Sequence, residues 1–281
     1  MTELSPRTLL VIDDDPSVHD LVKSLLAHTE WEVDCVASGE AAITVLAARA
    51  YDLILTDILM PQMDGLTLLA RIRDRHPDAR IIMMTAANTP EHVLGSLRGE
   101  AAGYISKPLF RDSLIKTLRT TLSTPLTPGD IRILSDLPQW ITLQVACRLS
   151  TANRLTQFVG ELPGDLSPEE REQIASAFRE LLMNAIEHGG HFDPTQTVEL
   201  SYIRTARSIV YYIRDPGAGF SFRNLEHAAI GNSPDEPIRH CEIRERLGLR
   251  PGGFGLLLTK NFADELIYNS KGNEVIFVKY L

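Results

Sequence analysis

The chain has 281 residues with a net charge of −9, and 44% of the residues are hydrophobic and 23% are charged. That length suits two domains with separate cores, and this ordinary composition excludes a fibrous repeat and wholesale disorder. The acidic balance argues against nucleic acid as a partner, because phosphate backbones are bound by basic surfaces.

The cysteines and the apolar runs exclude further classes of protein. Cys35, Cys147 and Cys241 form no ligand cluster, so neither zinc nor a disulfide framework is expected, and a reducing cytoplasm fits best. The N-terminus has no signal-peptide pattern, and the longest apolar runs are shorter than the roughly 20 residues that span a bilayer. No association with a membrane is expected.

Five short apolar runs alternate with amphipathic stretches in the N-terminal part of the chain. The runs predict strands at 8–12, 32–36, 52–56, 80–85 and 103–106, with helices near 16–28, 39–48, 65–75, 90–98 and 109–122. This alternation is typical of a doubly wound parallel α/β sheet. Because ligands of such sheets bind beyond the carboxyl ends of the strands, the residues there are the first candidates for a site.

Charged and hydroxyl side chains stand at four of these strand ends. Asp13 and Asp14 follow the first strand, Asp57 ends the third, Thr85 ends the fourth and Lys107 follows the fifth. Asp is common in turns and helix caps, so any one position is weak evidence. The combination favours a site, since clustered carboxylates repel one another until a cation such as Mg²⁺ joins them.

This arrangement resembles the receiver domain of two-component response regulators over all of residues 1–123. The matching pieces are LLVIDDDPSV, DLILTDILMPQMDG, IIMMTAA and GYISKPL, in that order. The resemblance implies a flavodoxin-like five-stranded fold in which Asp57 accepts a phosphoryl group from a cognate sensor histidine kinase.

The same resemblance implies the roles of the surrounding residues. Thr85 and Lys107 would contact the phosphoryl group, and Tyr104 would be the aromatic switch. The ligands of Mg²⁺ would be Asp13, Asp14, Asp57 and the backbone carbonyl of Leu59. Phosphorylation would then change the face formed by the fourth helix, the fifth strand and the last helix. Receivers often pair through this face, so a homodimer is a further expectation.

A proline- and glycine-containing stretch separates this block from the rest. STPLTPGD at 123–130 predicts a linker at 124–137 and a second domain at 138–281. Strands are predicted at 140–147, 197–204 and 208–214, and a helix near 151–161. The best-marked helix opens with a capping box at Ser167 and closes at Gly189-Gly190.

The second block carries an acid, an amide and two glycine-rich loops. Glu180 and Asn184 are four residues apart and share a helix face. The first loop, RDPGAGF, contains Asp215, Gly217 and Gly219, and the second, RPGGFG, contains Gly252, Gly253 and Gly255. A surface Glu/Asn pair and an ordinary turn explain most such features singly. Together and in this order they favour a nucleotide site, because glycines at a helix start let backbone amides approach phosphates.

This order resembles the GHKL ATPases, the superfamily of the histidine kinases, and within it the anti-sigma-factor serine kinases, over roughly 138–281. The resemblance implies an α/β sandwich of the Bergerat type, with a mixed sheet and ATP bound between helices. Asn184 would ligate the Mg²⁺ of ATP, Glu180 would be the general base and Asp215 would bind adenine. The nucleotide and its lid, roughly 220–251, would be framed by Gly217, Gly219, Gly252, Gly253 and Gly255. The roles of Arg250 and His188 stay open.

These features predict a response regulator whose phosphorylation controls an ATP-binding output domain. The expected activity is that of a serine/threonine kinase or an anti-sigma-factor-like partner switch, acting on an anti-sigma-antagonist-like protein or a sigma factor. Two alternatives remain: a catalytically silent, nucleotide-dependent binding module, and phosphotransfer to a histidine of a separate protein. Autophosphorylation on a histidine segment between the domains is not expected, because no histidine lies between His92 and His188.

Overall fold

The computed structural model describes residues 6–163, 166–219, 229, 235–236, 238–246 and 254–281. The chain divides into two compact units, one of Met1–Pro128 with Asn153–Gly164 and the other of Gly129–Ala152 with Asp165–Leu281. Among the helices within these described ranges, none is both long enough and apolar enough to cross a membrane. The domain boundaries at 123/124 and 137/138 stay predictions.

The first unit contains a five-stranded parallel sheet with the order β2-β1-β3-β4-β5. The strands are β1 (Arg7–Ile12), β2 (Trp31–Val36), β3 (Leu53–Asp57), β4 (Ile81–Thr85) and β5 (Gly103–Ser106). The helices are α1 (Pro16–Leu25), α2 (Gly39–Ala48), α3 (Gly65–Arg75), α4 (Pro90–Arg98) and α5 (Arg111–Ser123). The predicted doubly wound, flavodoxin-like fold is confirmed.

The apolar runs form these strands because both faces of the sheet are covered. Every residue of β3 and β4 is buried, which is why these strands read as continuous apolar runs rather than as an alternating pattern. The helices that follow the strands begin at side-chain caps: Asp15 Oδ1 accepts from Ser17 N at 2.8 Å, and Asp64 Oδ1 from Thr67 N at 2.7 Å. Such caps each stabilise a helix by about 1 kcal/mol.

The second unit contains a six-stranded sheet with the order β10-β11-β9-β8-β7-β6. The strands are β6 (Ile131–Leu137), β7 (Trp140–Ala146), β8 (Thr197–Arg204), β9 (Ser208–Arg214), β10 (Glu265–Tyr268) and β11 (Glu274–Tyr280). All of its strand pairs are antiparallel, whereas a mixed sheet was expected. The reason is local: β6–β7, β8–β9 and β10–β11 are hairpins, and hairpin strands pair antiparallel.

Four helices complete the described part of the chain. They are α6 (Leu149–Val159), α7 (Pro168–Asn184), α8 (Arg239–Arg246) and α9 (Gly255–Phe262), and a π-helix, Ala185–Gly189, continues α7. The buried ring of Phe178 on α7 packs on Tyr211 of β9 at a centroid distance of 5.3 Å, and Tyr211 in turn contacts Tyr202 and Phe277. This aromatic cluster fixes α7 on the sheet.

The sequence pattern does not predict a strand at 131–137. These residues were predicted to lie in the linker, but they form β6 and pair with β7 through the register Leu137↔Trp140. The strand lies at the edge of the sheet, and its residues are exposed or half-buried. It therefore lacks the apolar run that marked the other strands, and the prolines that suggested a linker, Pro125 and Pro128, lie just before it.

Candidate functional site

The carboxyl ends of β1, β3 and β5 bring the receiver's charged side chains together. Asp13 follows β1, Asp57 ends β3 and Lys107 follows β5. Lys107 Nζ lies 2.8 Å from Asp13 Oδ2 and 3.2 Å from Asp57 Oδ1, so a single ammonium bridges two carboxylates. Asp13 and Asp57 are buried, and Asp14 beside them is exposed. Asp13, Asp57 and Lys107 form a compact ion cluster at the carboxyl end of the sheet.

The electrostatics of this cluster follow from its burial and its charges. Burial raises the pKa of Asp57, Lys107 lowers it and Asp13 raises it again, so that the pKa lies above its usual value. Burial lowers the pKa of Lys107, but its contacts with Asp13 and Asp57 outweigh burial and raise the pKa. With Asp14 included, three carboxylates stand beside one ammonium, and this excess of negative charge favours a bound cation.

The donor set fits Mg²⁺. One carboxylate oxygen from each of Asp13, Asp14 and Asp57 lies within 4.8 Å of the others. Magnesium binds oxygen ligands at about 2.0–2.1 Å, so ligands on opposite sides of the ion are about 4 Å apart. The three carboxylates therefore need to move together only slightly to hold the ion. Bound there, the ion would supply positive charge next to Asp57, and its binding stays a prediction.

The other predicted receiver residues surround this cluster at different depths. Thr85 is fully buried, and its Oγ1 accepts a hydrogen bond from Ala87 N at 3.1 Å. Tyr104 is also buried, whereas the side chain of Leu59 is exposed. The role of the Leu59 backbone carbonyl stays a prediction. A Cβ atom on Gly65 would lie 2.1 Å from the carbonyl oxygen of Asp57. Glycine is therefore required where α3 begins against β3.

In the second unit, α7 carries the predicted acid and amide. Glu180 lies in the helix and Asn184 is its last residue, where the backbone is still helical. The sequence predicts one α-helix up to Gly189, but the structure changes to a π-helix at Ala185–Gly189. Single-turn π-helices are rare and often occur at functional sites, because the wider turn redirects side chains.

The π-helix ends against the predicted adenine-binding acid. A Cβ atom on Gly189 would lie 2.3 Å from Asp215 Oδ1, so only glycine lets the two approach. Asp215 Oδ1 accepts from Gly217 N at 2.8 Å, and burial raises the pKa of the Asp215 carboxyl. The first glycine loop thus donates a hydrogen bond to the carboxylate, and Gly189 at the end of the π-helix packs against it. Gly189 was taken from the sequence only as the end of a helix, and its role in packing was missed.

The β10–β11 turn holds the backbone of Asp215, and the sequence did not suggest it. Asp215 N donates to Asn273 O at 3.0 Å, and Asn273 Nδ2 donates to Asp215 O at 3.2 Å. The side chain of Asn269 orders this turn by accepting from Gly272 N at 2.7 Å. A dense run of Asn, Gly and Lys at 269–273 is the only sequence signal, and it reads as an ordinary turn.

Of the remaining predicted glycines, the structure describes Gly219 and Gly255. Gly219 has φ +81°, and a Cβ there would lie 1.9 Å from Lys271 O. A Cβ on Gly255 would lie 2.2 Å from Glu180 Oε2, so that α9 begins directly on the predicted base. Gly252, Gly253, Arg250 and most of the predicted lid at 220–251 lie outside the described residues. His188 is described and exposed.

Two family models match the chain. The response regulator receiver domain matches residues 9–119, and the histidine kinase-like ATPase domain matches residues 145–279. The first match contains the ion cluster of the first unit. The second contains α7, the first glycine loop and the turn that holds Asp215.

Curated relatives cover part of the chain. DltR, a transcriptional regulatory protein of Streptococcus agalactiae serotype III, is 31% identical over 149 residues, which are 50% of this chain and 66% of DltR. The regulatory protein VanRB of Enterococcus faecalis is 33% identical over 146 residues, 47% of this chain and 66% of VanRB. The probable transcriptional regulatory protein TcrX of Mycobacterium tuberculosis is 27% identical over 136 residues, 47% of this chain and 58% of TcrX. The chain therefore spans less than two thirds of the length of these relatives.

Solved structures include a putative response regulator from Chloroflexus aurantiacus. It is 30% identical, with a TM-score of 0.40, over 42% of this chain and 98% of its own. The two family matches span most of the chain in the order that the motifs predict. The chain carries a response regulator receiver domain followed by a histidine kinase-like ATPase domain.

Proposed function

We propose that this protein is a response regulator in which phosphorylation of Asp57 controls an ATP-dependent protein kinase. A cognate sensor histidine kinase supplies the phosphoryl group to the receiver. The ATPase domain then transfers phosphate from ATP to a serine or threonine of a partner, of the anti-sigma-antagonist type, or binds a sigma factor as a partner switch. The cytoplasmic location and the receiver-mediated homodimer stay predictions beside this proposal.

The observation that carries the receiver half is the ion cluster. Asp57 has Lys107 at 3.2 Å and shares it with Asp13, in a site with room for a divalent cation. The positive charge of Lys107 favours the added charge of an aspartyl phosphate, and the buried Thr85 hydroxyl lies at the end of the adjacent strand. These groups position and neutralise a phosphoryl group; no further nucleophile is needed.

The observation that carries the kinase half is the geometry around α7. Gly217 N donates to the Asp215 carboxylate, Gly189 packs against it, and Asn273 makes two hydrogen bonds to the Asp215 backbone. Glu180 and Asn184 lie on α7, and the π-helix that continues α7 ends against Asp215. ATP bound there would supply the phosphoryl group for transfer. In this proposal Glu180 takes a proton from the attacking hydroxyl, and general bases contribute about 10²–10⁴-fold to rates.

Incubation of the full chain with γ-labelled ATP, Mg²⁺ and a purified anti-sigma-antagonist protein from the same organism tests the kinase half. We expect acid-stable label on the partner, and a loss of at least about 100-fold in transfer for Glu180→Ala. Asn184→Ala should abolish transfer and weaken ATP binding. The matched control is Glu172→Ala on the same helix, where the side chain is exposed.

The other outcomes of this experiment are equally informative. Transfer that persists in Glu180→Ala and Asn184→Ala would overturn the kinase assignment. Binding of ATP without any labelled protein would identify a nucleotide-dependent binding module, and acid-labile label would identify phosphotransfer to histidine. The receiver half is tested separately with labelled acetyl phosphate, which should label the wild type and not Asp57→Asn.

A further inference from the structure

A segment that follows the linker in sequence belongs to the receiver in structure. Residues 153–163, the second half of α6 and the residues after it, fall in the same compact unit as the parallel sheet. Leu155, Phe158 and Val159 of this segment are buried. We call residues 153–163 the latch segment. In the chain it connects the start of α6 with α7, the helix that carries Glu180 and Asn184.

The latch segment contacts the predicted switch residue and the chain just before β5. Arg154 is buried, and its Nε donates to Ala101 O, just before β5, at 2.9 Å. The ring of Phe158 packs against the ring of Tyr104 with centroids 5.7 Å apart. The aromatic side chain predicted to move on phosphorylation is therefore covered by a residue of this segment.

A second connection runs through the loop after β4. Thr85 Oγ1 accepts from Ala87 N at 3.1 Å, and the next residue, Asn88, donates from Nδ2 to Glu161 Oε2 at 2.7 Å. Movement of the Thr85 hydroxyl toward a phosphoryl group on Asp57 breaks the first of these bonds. The loop whose Asn88 binds Glu161 then loses one of the hydrogen bonds that fix it.

The Tyr104 hydroxyl lies in the electrostatic field of two carboxylates, those of Glu161 and Asp57. Burial raises the pKa of its hydroxyl, and the carboxylates of Glu161 and Asp57 raise it further, so both charges act on one group. Phosphorylation replaces the single negative charge of the Asp57 carboxylate with a phosphoryl group of about −1.5 to −2 charges, so it adds up to about one negative charge. Because Glu161 is itself negative, this added charge disfavours the docked position of Glu161.

The docked latch segment also leaves buried polar atoms unpaired. Among the residues that the structure describes, both polar atoms of the Gln157 amide, the Tyr104 hydroxyl and the Thr121 hydroxyl are buried without a hydrogen-bond partner. Gln157 and Thr121 both lie over Gly103, where an added Cβ would be 2.9 and 2.7 Å from their oxygens. Unpaired buried polar groups cost stability, so this contact is one that a modest change can release.

We propose that the latch segment is docked on the face formed by α4, β5 and α5 in the unphosphorylated protein and is released when Asp57 is phosphorylated. The inference rests on the proposal that Asp57 is the phosphoryl acceptor. Release frees the chain between the start of α6 and α7, and so carries the signal toward the nucleotide site. It also uncovers the face through which a receiver homodimer is expected to form, so dimerisation and release occur together.

Hydrogen–deuterium exchange on the full chain tests the release. Fluoroberyllate with Mg²⁺ serves as the stable mimic of the aspartyl phosphate, and peptides that cover 153–163 are followed. We expect backbone amides of 153–159 to exchange at least about fivefold faster with the mimic, and no change in Asp57→Asn. Unchanged or slower exchange in a protein that has bound the mimic overturns the inference.

Thermodynamic linkage gives a second readout that does not depend on exchange. If docking and the phosphoryl mimic exclude each other, weakening a predominant docked state must strengthen the apparent binding of the mimic by up to the same factor. Phe158→Ala should therefore bind fluoroberyllate about fivefold or more tightly than the wild type. Glu161→Ala, a change at a half-buried position that keeps Phe158, should act in the same direction to a smaller extent. Glu172→Ala on α7 is the matched control and should leave the affinity unchanged.

The outcomes separate the two proposals. Fluoroberyllate that fails to bind, or that binds Asp57→Asn as well as it binds the wild type, overturns the assignment of Asp57 and the latch with it. Normal binding that Phe158→Ala and Glu161→Ala leave unchanged overturns the latch alone.

Discussion

The two candidate sites of this chain are organised on opposite principles. The receiver site depends on charge: buried Asp13 and Asp57 are tolerated because Lys107 contacts both. The nucleotide site depends on space, since Gly189 and Gly219 are positions where a single Cβ would collide with neighbouring atoms. Parallel strands bring charged groups to the carboxyl end of one sheet, whereas the helix end and loop of the second site pack closely on other protein atoms where only glycine fits. A change of charge should therefore damage the first site and a change of volume the second.

The largest expected effect is the loss of the shared cation in the receiver. Lys107→Met leaves the buried Asp13 and Asp57 without a positive partner, and removing one member of a buried ion pair costs about 3–5 kcal/mol. Because Lys107 is partly exposed, we expect the lower end, about 3 kcal/mol, in the free energy of unfolding of the first unit at neutral pH without divalent ions. Urea unfolding measures it.

The same variant tests the metal site. Mg²⁺ should restore part of the lost stability in Lys107→Met and stabilise the wild type less, because the wild type already has a cation in the cluster. Lys116→Met on α5 changes the charge equally at an exposed position and is the control. Equal unfolding curves for Lys107→Met and Lys116→Met would show that charge balance does not hold this site together.

The next largest effect is expected when a side chain is added at a closely packed glycine of the nucleotide site. Gly189→Ala places a Cβ 2.3 Å from Asp215 Oδ1, so that the Asp215 carboxylate must move. Loss of one hydrogen bond to a charged group is worth about 1.5–3 kcal/mol, which weakens binding about 10–100-fold. Titration with a fluorescent ATP analogue measures this change. Binding of fluoroberyllate to the receiver should stay unchanged in the same variant.

A glycine elsewhere in the second unit provides the comparison. Gly129 has φ +79°, but no atom lies within 4 Å of an added Cβ. Gly129→Ala therefore introduces backbone strain without a collision, and ATP affinity should stay within about twofold of the wild type. If both alanine variants weaken ATP binding equally, the effect comes from general destabilisation and not from the position of Asp215.

The receiver was predictable from sequence because its determinants are local or periodic. Continuous apolar runs mark β3 and β4, and the polar residue at the end of each strand lies where the parallel sheet order brings it to the common edge. Caps such as Asp15 and Asp64 also act within three residues.

The features that the sequence did not predict depend on contacts between residues that are distant in the chain. Gly189 and Asn273 matter because they meet Asp215, and their separation in sequence hides this. The strand β6 lacked an apolar run because it is an edge strand with exposed and half-buried residues. The latch segment carried an ordinary helical pattern, and its burial against Tyr104 follows only from the fold. Sequence therefore predicted candidate residues for both sites but not the packing that supports them.

The smallest expected effect is that of Ser167→Ala, which should lower the stability of the second unit without changing its ATP affinity. Ser167 caps α7: its Oγ accepts from Glu170 N at 3.3 Å, and the Glu170 carboxylate accepts from Ser167 N at 3.0 Å. Ser167→Ala removes the cap and should cost about 1 kcal/mol, or about 2–4 °C in the Tm of the second unit. Because Glu180 and Asn184 lie more than three helical turns further along, ATP affinity should not change. Ser176→Ala, at an exposed mid-helix position of α7, is the matched control and should be neutral or slightly stabilising, since alanine has the higher helix propensity. A loss of ATP affinity in Ser167→Ala would mean that the start of α7 positions the nucleotide site, and the division between a charge-determined and a space-determined site would then be too simple.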